Sequence, residues 1–223
     1  MVVTNPSHSS KVDISNSDKS SILFKSQFDA DDFFAAIREC PGVESGCIGP
    51  YRVLKKLGHG SFSTVLKGTL DGKEMVALKL ISINLLKKSP KARLSLVREI
   101  RALKEHPNFV KIHDVFKTND YICLVMEYID GGELFNYVAD NDGLSAFEAK
   151  DIFHQLVRAI KYMHSIDLVH RDLKLENILL LMSPKKRLLV KIIDFGLTRS
   201  IRDCDLLSTR CGSEEYTAPE IIL

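Results

Sequence analysis

"HRDLKLEN", residues 170–177, lies between a long helical pattern and a run of apolar residues. Asp172 in this stretch supplies a carboxylate that can accept the proton of an incoming hydroxyl group, and Asn177 supplies an amide oxygen that can hold a magnesium ion. The triplet "DFG", residues 194–196, follows and adds the carboxylate of Asp194. "DFG" alone is a weak signal, but its order after "HRDLKLEN" indicates a site at which metal ions and phosphate oxygens meet.

From Tyr51 onward the chain divides into a part with strand patterns and a part with helical patterns. Apolar periodicity and turn residues predict three antiparallel strands, a helix at about Ala92–Lys104 and two further strands. These strands are "YRVLKKLG", "STVLKGT", "MVALKLIS", "KIHDVFK" and "YICLVMEY". We therefore expect an α+β fold with a mostly β N-lobe at residues 51–128, an α-rich C-lobe at residues 129–223 and a ligand cleft where the lobes meet.

A long helix is predicted at the start of the α-rich part. Ser145 and Glu148 have the spacing of a capping box. One face of the helix carries apolar residues at intervals of three and four, namely Ala149, Ile152, Phe153, Leu156, Ile160 and Met163.

"GHGSFSTV", residues 58–65, lies between the first two predicted strands. Its small residues allow backbone amides to approach and cover an anionic phosphate, as in the pattern G-x-G-x-x-G-x-V. Ser63 replaces the third glycine of that pattern. A plain hairpin turn would also need glycines, so the stretch alone leaves both readings open.

"VALK", residues 76–79, ends in a lysine inside an apolar strand, where an unpaired ammonium would be costly to desolvate. Lys79 therefore needs anionic partners, and Glu99 on the next helix can be one of them. Lys79 would then reach the α and β phosphates of a nucleotide. The alternative is a solvated lysine on an edge strand. A phosphoryl group in transfer spreads negative charge over its oxygens, so Lys174 also belongs near it.

In this order and at these spacings, the motifs resemble those of a eukaryotic protein kinase domain that extends from Tyr51 to the end of the chain. The resemblance implies a two-lobed protein kinase-like fold and an enzyme that uses ATP and Mg²⁺. Lys174, two residues after Asp172, is similar to the serine/threonine-specific form of the loop. "VMEYIDGGELF" and "TRCGSEEYTAPE" look most like the calcium/calmodulin-dependent group and its AMP-activated and sucrose-non-fermenting relatives.

The resemblance also implies roles for individual residues. Met126 resembles the gatekeeper beside adenine, and Glu127 to Ile129 resemble the hinge whose backbone binds the base. The catalytic residues would be Asp172, Lys174, Lys79 and Glu99, and the metal ligands Asn177 and Asp194. The other implied ATP-binding residues are Gly58, His59, Gly60, Ser61, Val65, Ala77, Glu133 and Leu179. The stacked regulatory spine would comprise His170, Phe195, Leu103 and Ile112, for which ordinary core packing is an equally good account.

Protein substrates and an upstream activating kinase are the implied partners. Glu133 and Glu176 match positions that face basic residues before the phosphorylated serine or threonine, and Ser213 matches a position that contacts both substrate and Asp172. Thr209 matches the phosphorylated threonine of the AMP-activated relatives, with Ser208 as the alternative. A phosphate on Thr209 is expected to pair with Arg171, with Lys191 as a second cationic partner.

Composition excludes several other classes of protein. The 223 residues carry a formal net charge of +2 with mixed signs, so we expect no nucleic-acid partner. No apolar run approaches the roughly 20 residues needed to cross a bilayer, so we expect no membrane insertion. The five cysteines are odd in number and form no C-x-x-C pair, which indicates neither a zinc site nor a disulfide framework. A cytoplasmic or nuclear location is expected.

The segments outside the motifs carry separate expectations. Residues 1–21 are rich in serine and predicted to be a disordered leader, and residues 22–50 a short helix at about Asp29–Glu39 plus a linker. That helix would dock on the domain or bind a partner. The basic turn "SPKKR", residues 183–187, makes the stretch between Asn177 and Asp194 longer than in the family. This turn would be either solvated surface or a docking site.

The sequence ends at "APEIIL", so the resemblance implies a C-lobe that is truncated and incomplete after the APE motif. We then expect apolar surface on helix 145–165 and around His170 to meet water. The alternative function is a noncatalytic kinase-like binding or regulatory fragment. Degenerate motifs would favour that alternative, and the motifs are intact.

Overall fold

The computed structural model describes residues 38–39, 43–44, 46–60, 63–102, 106–182, 187–200 and 213–219. Eight strands form one sheet in the order β1-β7-β8-β6-β5-β4-β3-β2. Their bounds are β1 Arg38–Glu39, β2 Val43–Glu44, β3 Cys47–Ile48, β4 Tyr51–His59, β5 Ser63–Leu70, β6 Glu74–Ser82, β7 Ile112–Lys117 and β8 Tyr121–Glu127. β1 runs parallel to β7, and the other neighbours are antiparallel.

Strands β4 to β8 are the five strands predicted from the sequence, each within one residue of its predicted bounds. β6 and β8 lie inside the sheet, and Leu78, Leu124 and Val125 on them are fully buried. Continuous burial explains why these two strands have long apolar runs, whereas β4 in the outer part of the sheet exposes Leu54 and Leu57.

The segment before Tyr51 differs from its prediction. Arg38 and Glu39, the last two residues of the helix expected at Asp29–Glu39, form β1 and pair with Phe116 and Lys117. The rest of that predicted helix and the leader at residues 1–21 lie outside the described residues. Local helical periodicity was overridden here by pairing with the edge strand β7, whose backbone groups need partners.

Ile48 on β3 contributes to the core of the N-lobe. Its side chain is 2% exposed and lies in one apolar cluster with Tyr51, Phe116 and Cys123. The rings of Tyr51 and Phe116 are stacked with centroids 6.0 Å apart. The residues directly before Tyr51 therefore pack as part of the same lobe.

Two helices follow β6. α1, Ile83–Lys88, was not predicted; it is six residues long and lacks a side-chain N-cap. α2, Pro90–Ala102, begins two residues before the predicted start at Ala92. The earlier start has a local cause, because Ser89 Oγ accepts a hydrogen bond from Ala92 N–H at 3.2 Å and proline is favoured at the first helical position.

The C-terminal part contains helices α3, Leu134–Asp140, and α4, Ala146–Ser165. Its strands are β9 Leu168–Val169, β10 Ile178–Met182, β11 Leu188–Ile192 and β12 Arg199–Ser200, paired as β10–β11 and β9–β12. Among the described residues, 3₁₀ helices lie at Leu175–Asn177, Phe195–Leu197 and Glu214–Tyr216. Met182 pairs with Leu188, and residues 183–186 of the predicted basic turn lie outside the described residues.

The predicted capping box of α4 is confirmed. Ser145 Oγ accepts from Glu148 N–H at 3.2 Å, and the Glu148 carboxylate accepts from Ser145 N–H at 3.0 Å. These bonds lower the pKa of Glu148, with the Ser145 hydroxyl as the largest cause. Two backbone donors at the helix start are thereby satisfied.

The apolar face predicted for α4 is partly wrong. Ile152 and Met163 are buried, but Ala149 is exposed and Phe153 is 64% exposed. Phe153 follows Ile152 directly, so it points about 100° away from the buried face. Phe147 and Val157 are also exposed, as expected for apolar surface on this helix, whereas His170 itself is only 3% exposed.

No helix within the described ranges is both long enough and apolar enough to cross a membrane.

We predict that Ile48→Ala lowers the free energy of unfolding by about 2 kcal/mol or more, because it leaves a cavity beside Tyr51 and Phe116. The measurement is chemical denaturation of the full chain. Leu54→Ala on neighbouring β4 removes a side chain that is 47% exposed and serves as the control, with an expected loss of less than about 0.5 kcal/mol. Equal losses in the two variants would contradict the packing of β3 on the lobe.

Candidate active site

A cavity lies between the sheet and the C-terminal part of the chain. It brings together five residues that the sequence had assigned to the site, namely Gly60, Lys79, Glu99, Asp172 and Asp194. The other lining residues are Ser63, Ile81, Ala92, Ser95, Leu96, Gly196 and Leu197. Residues separated by more than 130 positions thus share one cleft, which is the arrangement expected at the junction of two lobes.

The glycine-rich stretch forms the turn between β4 and β5. Gly58 pairs with Val65, and His59 pairs with Thr64. Gly60 N–H donates to Ser63 O at 2.8 Å, which closes the turn. A Cβ atom built on Gly58 has no neighbour within 4 Å, so open space lies beside this backbone. Ser61, also predicted to bind ATP, lies outside the described residues.

Lys79 is paired with two carboxylates. Its Nζ donates to Glu99 Oε1 at 2.5 Å and lies 3.7 Å from Asp194 Oδ1, and its side chain is only 13% exposed. Burial acts to lower the pKa of Lys79, but Glu99 and Asp194 more than offset that effect, so its pKa lies above the ordinary value. β6 lies between β5 and β8, which excludes the alternative of an edge-strand lysine.

Asp172 lies in a small polar network. One carboxylate oxygen, Oδ1, accepts from Ser213 Oγ at 3.0 Å, and the other, Oδ2, accepts from Asn177 Nδ2 at 3.1 Å. Lys174 Nζ donates to Ser213 Oγ at 2.9 Å and lies 3.9 Å from Asp172 Oδ2. The contact between Ser213 and Asp172 that the sequence led us to expect is therefore present in the structure.

Asn177 and Asp194 offer oxygen atoms to a cation. Both hydrogen bonds of Asn177 Nδ2 go to Asp172, at 2.8 Å to its carbonyl oxygen and 3.1 Å to its carboxylate, which leaves Asn177 Oδ1 as the acceptor end of the amide. The Asp194 side chain is 52% exposed. Such a pair suits Mg²⁺, which commonly takes one or two protein ligands together with substrate phosphates. Within the described ranges, no group of three or more His, Cys, Asp or Glu side chains is arranged to hold a metal by itself.

His170 is a neutral structural residue next to Asp172. Its Nε2 is 3.2 Å from Ile193 O, and its Nδ1 accepts from Asp172 N–H at 3.3 Å, so the proton belongs on Nε2. Burial lowers the pKa of His170. Its ring lies 5.1 Å from that of Phe195, as predicted for the stacked spine.

Of the two other residues assigned to that spine, the structure describes one. Ile112 packs on the same apolar cluster as Phe195, whereas Leu103 lies outside the described residues. Phe109 was not predicted as part of this group. Its ring makes an edge contact with the ring of Phe195, with the centroids 5.2 Å apart. Nothing in the spacing of Phe109 distinguished it from an ordinary core residue.

Backbone pairing joins two separate pairs of the residues assigned to the adenine pocket. Ala77 on β6 pairs with Met126 on β8, and Glu133 forms an isolated bridge with Leu179. Val65 packs on the same cluster as Ala77 and Met126. Ile129 is 8% exposed.

Two cationic side chains contact the hinge. Lys67 Nζ lies 4.0 Å from the centre of the Tyr128 ring. Lys191 Nζ donates to Glu127 Oε1 at 2.6 Å, and the same oxygen accepts from Lys111 N–H at 2.9 Å. Lys191, expected as the second cationic partner of a phosphate on Thr209, is 12% exposed and bound to Glu127, while Thr209 lies outside the described residues.

Substrate and regulatory positions are described only in part. Tyr216 Oη donates to Glu176 Oε2 at 3.3 Å, which fixes the position of that carboxylate at the surface. Thr209 and Ser208 lie outside the described residues. Ser95 lines the cavity and was not predicted; its position four residues before Glu99 is the only sequence signal for it.

Comparison with known proteins agrees with this geometry. The family model "Protein kinase domain" matches residues 51–223. The carbon catabolite-derepressing protein kinase of Saccharomyces cerevisiae is 44% identical over 179 residues, which cover 78% of this chain and 27% of that protein. An SNF1-like protein kinase of Schizosaccharomyces pombe is 44% identical over 178 residues, which cover 78% of this chain and 30% of that protein. A probable serine/threonine-protein kinase of Dictyostelium discoideum is 40% identical over 183 residues, which cover 81% of this chain and 22% of that protein.

The chain thus spans less than a third of the length of these three relatives. The similarity confirms the expected relationship to the sucrose-non-fermenting group of serine/threonine kinases. The β-rich N-lobe and the expected fold class are confirmed as well. The chain belongs to the protein kinase domain family.

Proposed function

We propose that the chain carries the phosphotransfer site of a serine/threonine protein kinase, which moves a phosphoryl group from ATP to a hydroxyl on a protein substrate. The observation that carries the proposal is the convergence of Lys79, Glu99, Asp172 and Asp194 on one cavity. A noncatalytic binding fragment has no need for a buried lysine that is held by two carboxylates. The intact ion pairs therefore favour catalysis over the alternative of a regulatory fragment.

Lys79 and Glu99 prepare the phosphate side of the cleft. The Glu99 carboxylate is itself only 7% exposed and holds the lysine ammonium at 2.5 Å, so Lys79 stays charged and in place. A fixed cation at this point binds phosphate oxygens without reorganising during the reaction. Asn177 and Asp194 would hold a bound Mg²⁺, which would supply positive charge to the transferring phosphoryl group.

Asp172 is placed to accept the proton of the substrate hydroxyl. Its carboxylate is 15% exposed and is held by Asn177 and Ser213, so its orientation is fixed before substrate binds. Lys174 donates to Ser213 and lies 3.9 Å from this carboxylate, where its charge can offset the negative charge that builds up during transfer.

The first test is nucleotide binding and phosphotransfer in two variants. We expect Lys79→Met and Asp194→Asn each to lower phosphotransfer at least about a hundredfold, the usual scale for removing one preorganised charge. Lys55→Met, an exposed lysine on β4, is the control and should leave the rate unchanged. Rates in either test variant equal to those of the parent would contradict the assignment.

The second test concerns the substrate. Glu133 is half-buried at the N-cap of α3, and Glu176 accepts a hydrogen bond from Tyr216, so both carboxylates are partly accessible to a substrate. Carboxylates at such positions favour arginine or lysine two to three residues before the phosphorylated site. A peptide array should show this preference, and Glu176→Gln should weaken it. Selection of acidic or proline-directed peptides would count against the proposal.

The third test concerns control by Thr209, which we propose as the activating phosphosite on sequence grounds. A phosphate there adds about −1.5 to −2 charges near Arg171, which directly precedes Asp172. Thr209→Ala in the full-length protein should lower activity by about an order of magnitude or more and leave ATP affinity nearly unchanged, whereas Ser208→Ala should have little effect. Full activity of Thr209→Ala after treatment with an activating kinase would rule this control out.

A further inference from the structure

We propose that Ser95 is a positioning residue for Asp194, and that helix α2 fixes this carboxylate through two separate contacts. The contact itself is part of the fold. Only its role, which is to position Asp194 for magnesium binding, rests on the proposed function. Ser95 lies one helical turn before Glu99, so the two side chains lie on the same face of α2. Both of them line the cavity.

The first contact runs from Ser95 to the loop that carries Asp194. Ser95 Oγ donates to Gly196 O at 2.5 Å, across 101 positions of sequence. The N–H of the same glycine donates to Asp194 Oδ1 at 3.4 Å. Gly196 is thus held at its carbonyl by α2 and contacts the Asp194 carboxylate through its amide.

The second contact reaches the same carboxylate from the other side. Glu99 holds Lys79 at 2.5 Å, and Lys79 Nζ lies 3.7 Å from Asp194 Oδ1. Ser95 and Glu99 therefore act on one oxygen atom through different intermediates, a glycine peptide and a lysine ammonium. Loss of either contact leaves Asp194 with one support.

The backbone around Asp194 needs such support. Asp194 has a φ of 60°, a left-handed conformation that costs a non-glycine residue of order 1 kcal/mol or more unless its surroundings hold it. A Cβ atom on Gly196 would lie 3.2 Å from Asp194 Oδ1, a tight contact, and 3.4 Å from Ser95 Oγ, an ordinary one. The absence of a side chain at Gly196 therefore leaves room mainly for the Asp194 carboxylate.

A serine inside a helix commonly returns its hydroxyl to a carbonyl of the preceding turn, where it does nothing outside the helix. Ser95 instead donates to another element, and the 3₁₀ helix Phe195–Leu197 packs directly against α2. The hydroxyl is the polar link in that packing, which distinguishes it from a solvated serine.

Hydrogen exchange of the full chain without nucleotide tests the contact. We expect Ser95→Ala to speed amide exchange over residues 194–198 about three- to tenfold, the effect of losing one ordinary hydrogen bond, and Ser95→Thr to restore it. Ser89→Ala is the matched control, because Ser89 caps the same helix through Ala92 N–H but does not contact Gly196 in the described structure. Unchanged exchange in Ser95→Ala, or equal acceleration in Ser89→Ala, would overturn the inference.

Magnesium dependence tests the purpose of the contact. Binding of a fluorescent ATP analogue is titrated with MgCl₂, and Ser95→Ala should need about three- to tenfold more magnesium for half-saturation. In EDTA, Ser95→Ala should bind the analogue with the same affinity as the parent. Ser95→Thr should match the parent both in its magnesium requirement and in its affinity in EDTA. An unchanged magnesium requirement in Ser95→Ala would overturn the positioning role. If the parent itself shows no magnesium-dependent binding, the proposed function fails, while the exchange comparison still decides the contact.

Discussion

A buried ammonium group sets the arrangement of this protein. Lys79 lies inside the sheet on β6, and a cation at such a position is tolerated only beside anions. Glu99 meets that need from α2, which in turn buries Leu96, Val97 and Ile100 against the sheet. The pairing of Lys79 with Glu99 thus joins α2 to the sheet beside this apolar contact, and it brings the ammonium within 3.7 Å of Asp194.

The joint between the lobes depends on polar groups that are fully paired. Asn108 Nδ2 donates to Gln155 Oε1 at 3.1 Å and to Val190 O at 2.9 Å, so the segment before β7 is tied to α4 and β11. The chain after the hinge pairs with β10, through Gly131 N–H to Leu180 O at 3.0 Å and Leu180 N–H to Gly132 O at 2.9 Å. Buried polar groups that satisfy one another in this way specify one arrangement of the lobes.

The sequence predicted those features that depend on local chemistry. Strands β4 to β8 and the capping box of Ser145 and Glu148 follow from periodicity and spacing. The set of site residues followed from motif order. The features that the sequence did not predict have other origins. The strand β1 and the pairing of Lys191 with Glu127 depend on partners distant in sequence, and neither partner can be derived from local patterns. The exposure of Phe153 follows from helix geometry, because this residue lies about 100° from Ile152 on α4.

The ends of the eight-stranded sheet have a geometric consequence. β1 and β2 occupy its two opposite edges, yet only residues 40–42 separate them in the chain. The four residue steps from Glu39 to Val43 span at most roughly 14 Å, so the sheet must curve until its two edges lie close together. β1 and β3 each pair with two residues of the neighbouring strand, β7 and β4, so they cap one end of each edge of the five predicted strands. A protein begun at Tyr51 would lose both caps and leave those ends open to pairing with other chains.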